Sequence, residues 1–488
     1  MLRTGAQYRD SIRDGRRVWI NGERVNDVAA HPAFRPLVDI RARIYDMQHD
    51  AATREVMVAT DATGREVATG LALPYAKADW YAKRRAVDTM MDAFGGVVSR
   101  LGDETIGEMW SLHDGAGVLT SIDTHFAGNI QPHIDRILDQ DLFHVSANTD
   151  PKGDRSKRPQ EQDPDMLLHV VRETDAGIIV RGAKYETAAA YANQAFVKPT
   201  IANWGDAKLS EYAVGFISNF SAPNMKFICR AGFAGRGSVE DYPLSNRLDE
   251  IDTLVIYDDV LVPWENVLFN RHTAAAAFIR STLHRYAAFP FLQRILRFAD
   301  LLIGAALLNV RQTGLDKQPA VQDKLVQLAR YREGIDAHLI AAIETAQESP
   351  GGLCMPNQSL LYTGRLLGCG EMHNAIHLAR ELCGGQICVT PSAADFANPE
   401  TEAWLNKFYS VNENWQAEDR RKLLAYARDL MNSDYGGHRL TFHLFAQSPP
   451  YAQAGAVYRN FDWERSAGIV ARAAGLSEAV DGRKEAAA

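Results

Sequence analysis

The chain is short of the features that would place it in several large classes. Cysteine is scarce: there are five in 488 residues, an odd number with no Cys-x-x-Cys pair and none before Cys229. That usage offers no disulfide framework and fits a reducing compartment, so a cytoplasmic protein is expected. No apolar run approaches the roughly 20 residues that cross a bilayer. The opening "MLRTGAQYRDSIRDGRR" is charged throughout, without the apolar stretch of a secretion signal. Excess positive charge is missing too. A formal net charge of -8 leaves no electrostatic footprint for nucleic acid or an anionic membrane. Internal repeats and low-complexity linkers are also lacking.

What remains is an ordinary globular composition, 46% hydrophobic and 23% charged, which excludes disordered and fibrous classes. A chain of this length needs more than one core, since single cores stop growing at roughly 250–300 residues. In "RRVWINGERV", Asn21-Gly22 stands between two β-favouring runs, a strong hairpin signal. A helix is expected after Pro32 and Pro36, and helical spacing returns in "KADWYAKRRAVDTMMDAFGGVV" and "NIQPHIDRILDQDL".

The texture changes at His144. "HVSANTDPKGDRSKRPQEQDPD" is polar, rich in turn-formers and too irregular for a helix. Short β candidates follow: "LLHVVRET", "GIIVRGAKY", "EYAVGFISNF", "MKFICRAGF" and "TLVIYDDVLVP". Each is bounded by Gly, Asp, Asn or Pro, which suggests a barrel or sandwich and not βαβ units. After Trp264 long helical patterns resume, and the third ends at Gly384-Gly385, a natural helix stop. Ser392 is placed to cap "AADF". The tail "LSEAVDGRKEAAA" is polar and is expected to fray. The expected fold class is α+β, mainly α: a helical domain over 1–143, an antiparallel β-barrel over 144–270 and a helical bundle over 271–488.

The stretches "YRDSIRDGRRVWINGERVNDVAAHPAF", "DPKGDRSK", "RETDAGIIVRGAK", "MKFICR", "PLSNRLDEIDTLVIYDDVLVPWENV", "VTPSAADF" and "DYGGHR" occur in one collinear order from about residue 8 to residue 440. In that order the chain resembles the two-component 4-hydroxyphenylacetate 3-hydroxylase family. The resemblance implies an acyl-CoA-dehydrogenase-like fold and a flavin-dependent monooxygenase. FAD, reduced by a separate reductase, would react with dioxygen to a C4a-hydroperoxide that hydroxylates a small aromatic ring. It also implies a homotetramer.

Family positions carry over residue by residue. Asn148, Lys152, Gly153, Asp154 and Arg155 fall on the flavin-contacting loop, with Ser146 beside it; the plain alternative for Asp-Pro and Lys-Gly is a solvated turn. Thr187 falls on a flavin-contacting threonine, and Gly436, Gly437, His438 and Arg439 on a late motif that reaches the cofactor, in such folds from a neighbouring subunit. On the substrate side, phenol-hydroxylating relatives carry Arg-x-x-x-Tyr and a His before the flavin loop. This chain keeps Arg100 but has Glu104 and Ser146 at the other two positions. His144, two residues from Ser146, shares its face on an extended segment. For Arg100 and Glu104 the functional reading is that Glu104 accepts a proton or binds a substrate ammonium, the pair gripping both charges of an amino-acid derivative. The plain alternative is a surface ion pair worth less than about 1 kcal/mol. His284 is a second acid/base candidate, set against an ordinary surface histidine.

His373 and His377 have helical i,i+4 spacing, but Asn374 stands where a zinc-protease motif needs Glu, so no metal is expected. Cys383 and Cys388 are read as packed thiols. Three competing functions share or simplify the fold. A dehydratase with FAD and a four-iron cluster needs an early cysteine pair that is missing here. A flavin desaturase or oxidase would remove hydride without inserting oxygen. A non-catalytic member would only bind flavin or a metabolite.

Overall fold

The hairpin at Asn21-Gly22 forms as its turn chemistry demands. Strands β1 (Val18–Ile20) and β2 (Glu23–Val25) pair antiparallel, and both turn residues hold positive φ, 53° at Asn21 and 82° at Gly22. The computed structural model describes residues 1–201, 204–446 and 449–476. The tail from Ser477, expected to fray, lies outside them.

Helix α1 (Arg35–Met47) carries Pro36 in its first turn. Helix α2 (Lys77–Phe94) stops where Gly95 takes a left-handed φ of 66°. Helix α3 (Asp103–Asp114) is buried almost throughout, including Asp103, Glu104 and Glu108. Gly107 allows this: a Cβ there would lie 3.0 Å from the backbone nitrogen of Ala287, so α3 can abut that later segment. Helix α4 (Ile130–Gln140) completes the helices of this region that matter here.

The middle of the chain supplies strands β3 (His144–Ala147), β4 (His169–Thr174), β5 (Gly177–Thr187), β6 (Gln194–Val197), β7 (Val214–Asn219), β8 (Met225–Cys229), β9 (Asp252–Pro263) and β10 (Val267–Asn270). They form a six-stranded sheet, β2-β1-β8-β9-β5-β4, and a four-stranded sheet, β10-β7-β6-β3. The expected antiparallel barrel is therefore corrected in two respects. Among the described residues the strands make two open sheets and no closed barrel, and two pairings are parallel, β1 with β8 and β3 with β6. The N-terminal hairpin has crossed into the β region to extend its larger sheet. Between the sheets Phe216 and Tyr257 meet edge to face at 6.0 Å, and the Tyr257 hydroxyl donates to Ser218 Oγ at 3.2 Å. Past the end of β3, Tyr185 N–H on β5 donates to the Thr149 carbonyl at 2.7 Å, linking the sheets at one corner.

Helices α5 (Ala288–Gln312), α6 (Pro319–Glu344) and α7 (Gln358–Cys383) pack on one another, followed by α8 (Ala417–Asn432) and α9 (Asp434–Phe445). Ser392 caps its short helix in a capping box with Asp395. Two cores result. One joins residues of α2, α3 and α4 to the helical bundle, through Trp80, Trp110, Phe289 and Ile335. The other lies within the sheets and takes in Tyr8, Phe34 and Val38 from the N-terminal segment. Helix α3 therefore sits where helical bundle and sheets meet.

Candidate active site

At that junction the chain encloses a cavity of about 1950 Å³, larger than the roughly 300–1,000 Å³ of an ordinary small-molecule pocket. The segment Arg100–Glu108 forms one wall, with Arg100, Glu104, Thr105 and Glu108 on the lining. The sheets contribute Ser146 and Glu186, and Lys198 follows directly on the strand Gln194–Val197; the bundle side contributes His284, Phe291 and Tyr362. A loop after β3 closes the mouth with Asn148, Lys152, Asp154, Arg155, Lys157 and Arg158.

Arg100 lies between two acids. Its Nη2 is 3.2 Å from Glu186 Oε1 and its Nη1 is 3.6 Å from Glu104 Oε1. The Arg100–Glu104 pair is thus not the surface ion pair allowed for above: the Glu104 side chain is 1% exposed. Its other oxygen accepts from the Gly102 N–H at 3.1 Å and lies 3.6 Å from Arg294. Arg294, on α5, also donates to Asp103 Oδ2 at 3.0 Å. Burial opposes ionisation of Asp103, but the charge and hydrogen bonds of Arg294 outweigh it and hold that carboxyl below its usual range. Glu104 goes the other way, pushed up by burial and by the adjacent Asp103 charge. Glu186 is likewise raised by burial, with Glu104 and Glu108 adding to the repulsion.

Glu108, one turn beyond Glu104, accepts both of its hydrogen bonds from Asn148 Nδ2, at 2.9 and 3.0 Å. Burial lifts its pKa to about 6 although Lys198, Asn148, Arg100 and Ser146 all favour the anion. His284 Nδ1 stands 3.8 Å from Glu108 Oε1. Burial, assisted by the charges of Lys198 and Arg365, takes this imidazole down to about 3, so it is neutral at pH 7. Several buried polar atoms on this wall lack a hydrogen-bond partner: Glu104 Oε1, Glu186 Oε1, His284 Nδ1 and Asn148 Oδ1.

The mouth loop is anchored from beneath. Lys184 on β5 is buried; it donates to the Asp150 carboxylate and, at 2.7 Å, to the Lys198 carbonyl. Asp150 Oδ2 accepts from both the N–H and the hydroxyl of Thr200, at 3.0 and 2.6 Å. Gly153 takes a left-handed φ of 51°, which glycine adopts without strain, and a Cβ there would displace the end of the Gln162 side chain. Lys152, Asp154 and Arg155 around it line the cavity, whereas Gly153 does not.

The other candidates fall elsewhere. His144 is absent from the lining; its Nδ1 is 3.3 Å from Gln194 Nε2, its partner across the β3–β6 register, and burial depresses it to about 3. Thr187, Gly436, Gly437, His438 and Arg439 are not lining residues either. Thr187 Oγ1 donates to Asp252 at 2.5 Å, and His438 Nε2 is 2.7 Å from the other oxygen of that carboxylate. Arg439 is bound to Glu250, whose carboxylate accepts the backbone N–H groups of Ser99 and Arg100. Arg439 therefore braces the Arg100 segment through Glu250.

Sequence reasoning had picked Arg100, Glu104, Ser146 and His284, which the cavity unites, but it passed over Glu108, Glu186 and Lys198. One signal was available. Glu104 and Glu108 have i,i+4 spacing, and two like charges one turn apart on a helix are mildly destabilising without a purpose. The lysine in "FVKPT" gave none.

A family model described as "4-hydroxyphenylacetate 3-hydroxylase N terminal" matches residues 4–269, and one for the C terminal part matches residues 274–475. The chain is 30% identical over 475 residues to the 4-hydroxyphenylacetate 3-monooxygenase oxygenase component of Thermus thermophilus, covering 95% of each. It is 31% identical to the pyoverdin chromophore biosynthetic protein PvcC of Pseudomonas aeruginosa, covering 90% of this chain and 88% of that one. Among solved structures, a 4-hydroxyphenylacetate 3-monooxygenase oxygenase component complexed with FAD superposes with a TM-score of 0.90 at 28% identity, covering 98% of this chain and 99% of that one. With matches across both halves of its length, this chain belongs to the 4-hydroxyphenylacetate 3-hydroxylase family.

Proposed function

We propose that the protein is the oxygenase component of a two-component monooxygenase that uses reduced FAD and dioxygen to hydroxylate an aromatic ring. One observation carries the reading: a family member keeps, at the junction of sheets and bundle, a cavity with a basic mouth and a polar inner wall. The first FAD-bound relative named above supports the cofactor, and a second solved relative holds FAD together with 4-hydroxyphenylacetate.

The residues present fit such a group. The cavity volume accommodates a cofactor and a small substrate together, and orphaned acceptors on its wall await donors. Lys152, Arg155, Lys157 and Arg158 would face the phosphates, and Asn148 and Ser146 would border the ring system. FAD, when bound and reduced, supplies the activation of dioxygen and the transfer of one oxygen atom. The chain's own work is positioning, exclusion of water and proton handling. Phe291 and Tyr362 give the substrate ring an apolar wall. Glu108 takes the proton released at the substrate: its pKa of about 6 leaves it ionised yet basic at neutral pH, while Asn148 fixes its oxygens. His284 beside it is neutral and leaves Nδ1 without a hydrogen-bond partner on this wall.

A separate reductase supplies the reduced cofactor, as the two-component character of the relatives implies. The assembly we propose is a homotetramer; apolar side chains left exposed on the last helices, Tyr458, Ile469 and Val470 among them, support association of some kind. Five free thiols agree with a reducing, cytoplasmic setting. Anaerobic titration tests the reading: reduced FAD should bind well above oxidised FAD in affinity. Equal affinity for both, or none for either, would remove the oxygenase assignment.

A further inference from the structure

We infer that the aromatic molecule taken into this cavity carries a protonated alkyl nitrogen, held by the carboxylates of Glu104 and Glu186 on either side of Arg100. The inference deepens the proposed function and rests on the cavity being the substrate site of that enzyme. An acidic or phenolate substrate is best received by an open cation. Arg100 is not one. Both ends of its guanidinium fork are taken by acids, Nη1 by Glu104 and Nη2 by Glu186. Arg294, the next cation inward, lies against Asp103 as well as Glu104.

The acids are the groups left wanting. Glu104 and Glu186 are 2% and 5% exposed and both line the cavity; Oε1 of each faces Arg100 as an ion pair but makes no hydrogen bond with it or with any other group. Glu108 adds a third buried carboxylate to the same wall. Three carboxylates facing one shared guanidinium repel one another in a low-dielectric setting. An ammonium offers three donors and one positive charge, which gives both acids the hydrogen bonds that Arg100 does not make and relieves that repulsion. Lys198 and Arg280 also line the cavity, but the charge that most favours ionised Lys198 is Glu108. Phe291 and Tyr362 complete the fit, since an aromatic face attracts a cation as well as a ring; the Arg100 guanidinium is 5.9 Å from the Phe291 ring centre. The substrate class is therefore an arylalkylamine.

The test is a binding titration of the full-length chain with three probes of one skeleton: tyramine, 4-ethylphenol and 4-hydroxyphenylacetate. Tyramine should bind about tenfold or more tighter than 4-ethylphenol, with 4-hydroxyphenylacetate weakest. Glu104→Gln and Glu186→Gln should each bring tyramine down towards 4-ethylphenol while leaving 4-ethylphenol affinity in place, which reports an intact pocket. Equal or tighter binding of 4-hydroxyphenylacetate overturns the inference, as does an amine preference that survives both substitutions. Reduced-FAD affinity, measured on the same samples, separates the two levels. Its absence beside an intact amine preference would sink the oxygenase reading alone, and its presence beside an acid preference would sink the amine alone.

Discussion

Arg439 Nη2 donates to Glu250 Oε2 at 2.6 Å, and both side chains are almost fully buried. The same carboxylate accepts the Ser99 N–H at 2.8 Å and the Arg100 N–H at 2.6 Å. A residue near the end of the chain thus fixes the backbone of the residue that divides the acids of the cavity. Breaking a buried ion pair from one side costs about 3–5 kcal/mol. Arg439→Ala should lose stability on that order in chemical unfolding. Arg439→Lys, which keeps the charge but not the fork, should recover part of it and still bind substrate more weakly than the natural chain. Unchanged affinity in the lysine variant would reduce Arg439 to a purely structural role.

Glu108 should give the reaction its acidic limb. Its carboxyl is surrounded by Asn148, Ser146, His284, Lys198, Arg100 and Glu186 and titrates at about 6, raised chiefly by burial. Turnover should rise with pH through that value, and Glu108→Gln should flatten the rise. A limb that persists in the variant assigns the base elsewhere.

The same shift has a consequence for stability. A carboxyl whose pKa is higher folded than unfolded binds its proton more tightly in the native state, so stability falls as pH climbs from the usual 4.5 to about 6. The loss is about 2 kcal/mol for a shift of this size. Urea unfolding at pH 4.5 and pH 7 should show Glu108→Gln gaining on the natural chain by roughly that amount at the higher pH. An equal offset at both pH values would contradict it.

Arg155→Ala should weaken reduced FAD by about tenfold or more, since hydrogen bonds to a charged partner contribute about 1.5–3 kcal/mol. Arg155 lines the mouth of the cavity, so its loss should leave stability nearly unchanged. Undiminished FAD affinity would take the loop out of the cofactor site.

Lys184 and Asp150 should behave as one unit beneath that loop. Asp150→Ala leaves a buried ammonium without its carboxylate and should cost about 3–5 kcal/mol. Replacing the pair together, Asp150→Leu with Lys184→Met, should cost markedly less in the same unfolding assay. Equal losses in both would show that Asp150 acts through Thr200 alone.

Local chemistry explains what the sequence made legible. Asn21-Gly22, the Ser392 cap and the stop at Gly384 act within a few residues, and each can be read where it stands. Most of the smaller sheet was not legible. Strands His144–Ala147, Gln194–Val197 and Val267–Asn270 have four residues each, too few to show alternation, and their partners lie far away in the chain. The resemblance brought out Arg100, Glu104, Ser146 and His284, while Glu186 and Lys198 reach the cavity only through sheet pairing. Alternation placed His144 beside Ser146 on β3; the cross-strand partner Gln194 then turned the imidazole into the core. Of the positions that the resemblance assigns to the cofactor, Thr187 and His438 bond to Asp252 and Arg439 to Glu250 within this chain, pairings that no local pattern shows.

The most direct measurement follows the oxygen. Full-length protein is supplied with reduced FAD and ¹⁸O-labelled dioxygen in the presence of tyramine and other phenols, and the organic products are weighed by mass spectrometry. Incorporation of one labelled atom into the aromatic ring is the predicted result. Label recovered only in peroxide and water, or a desaturated product without label, would contradict the account.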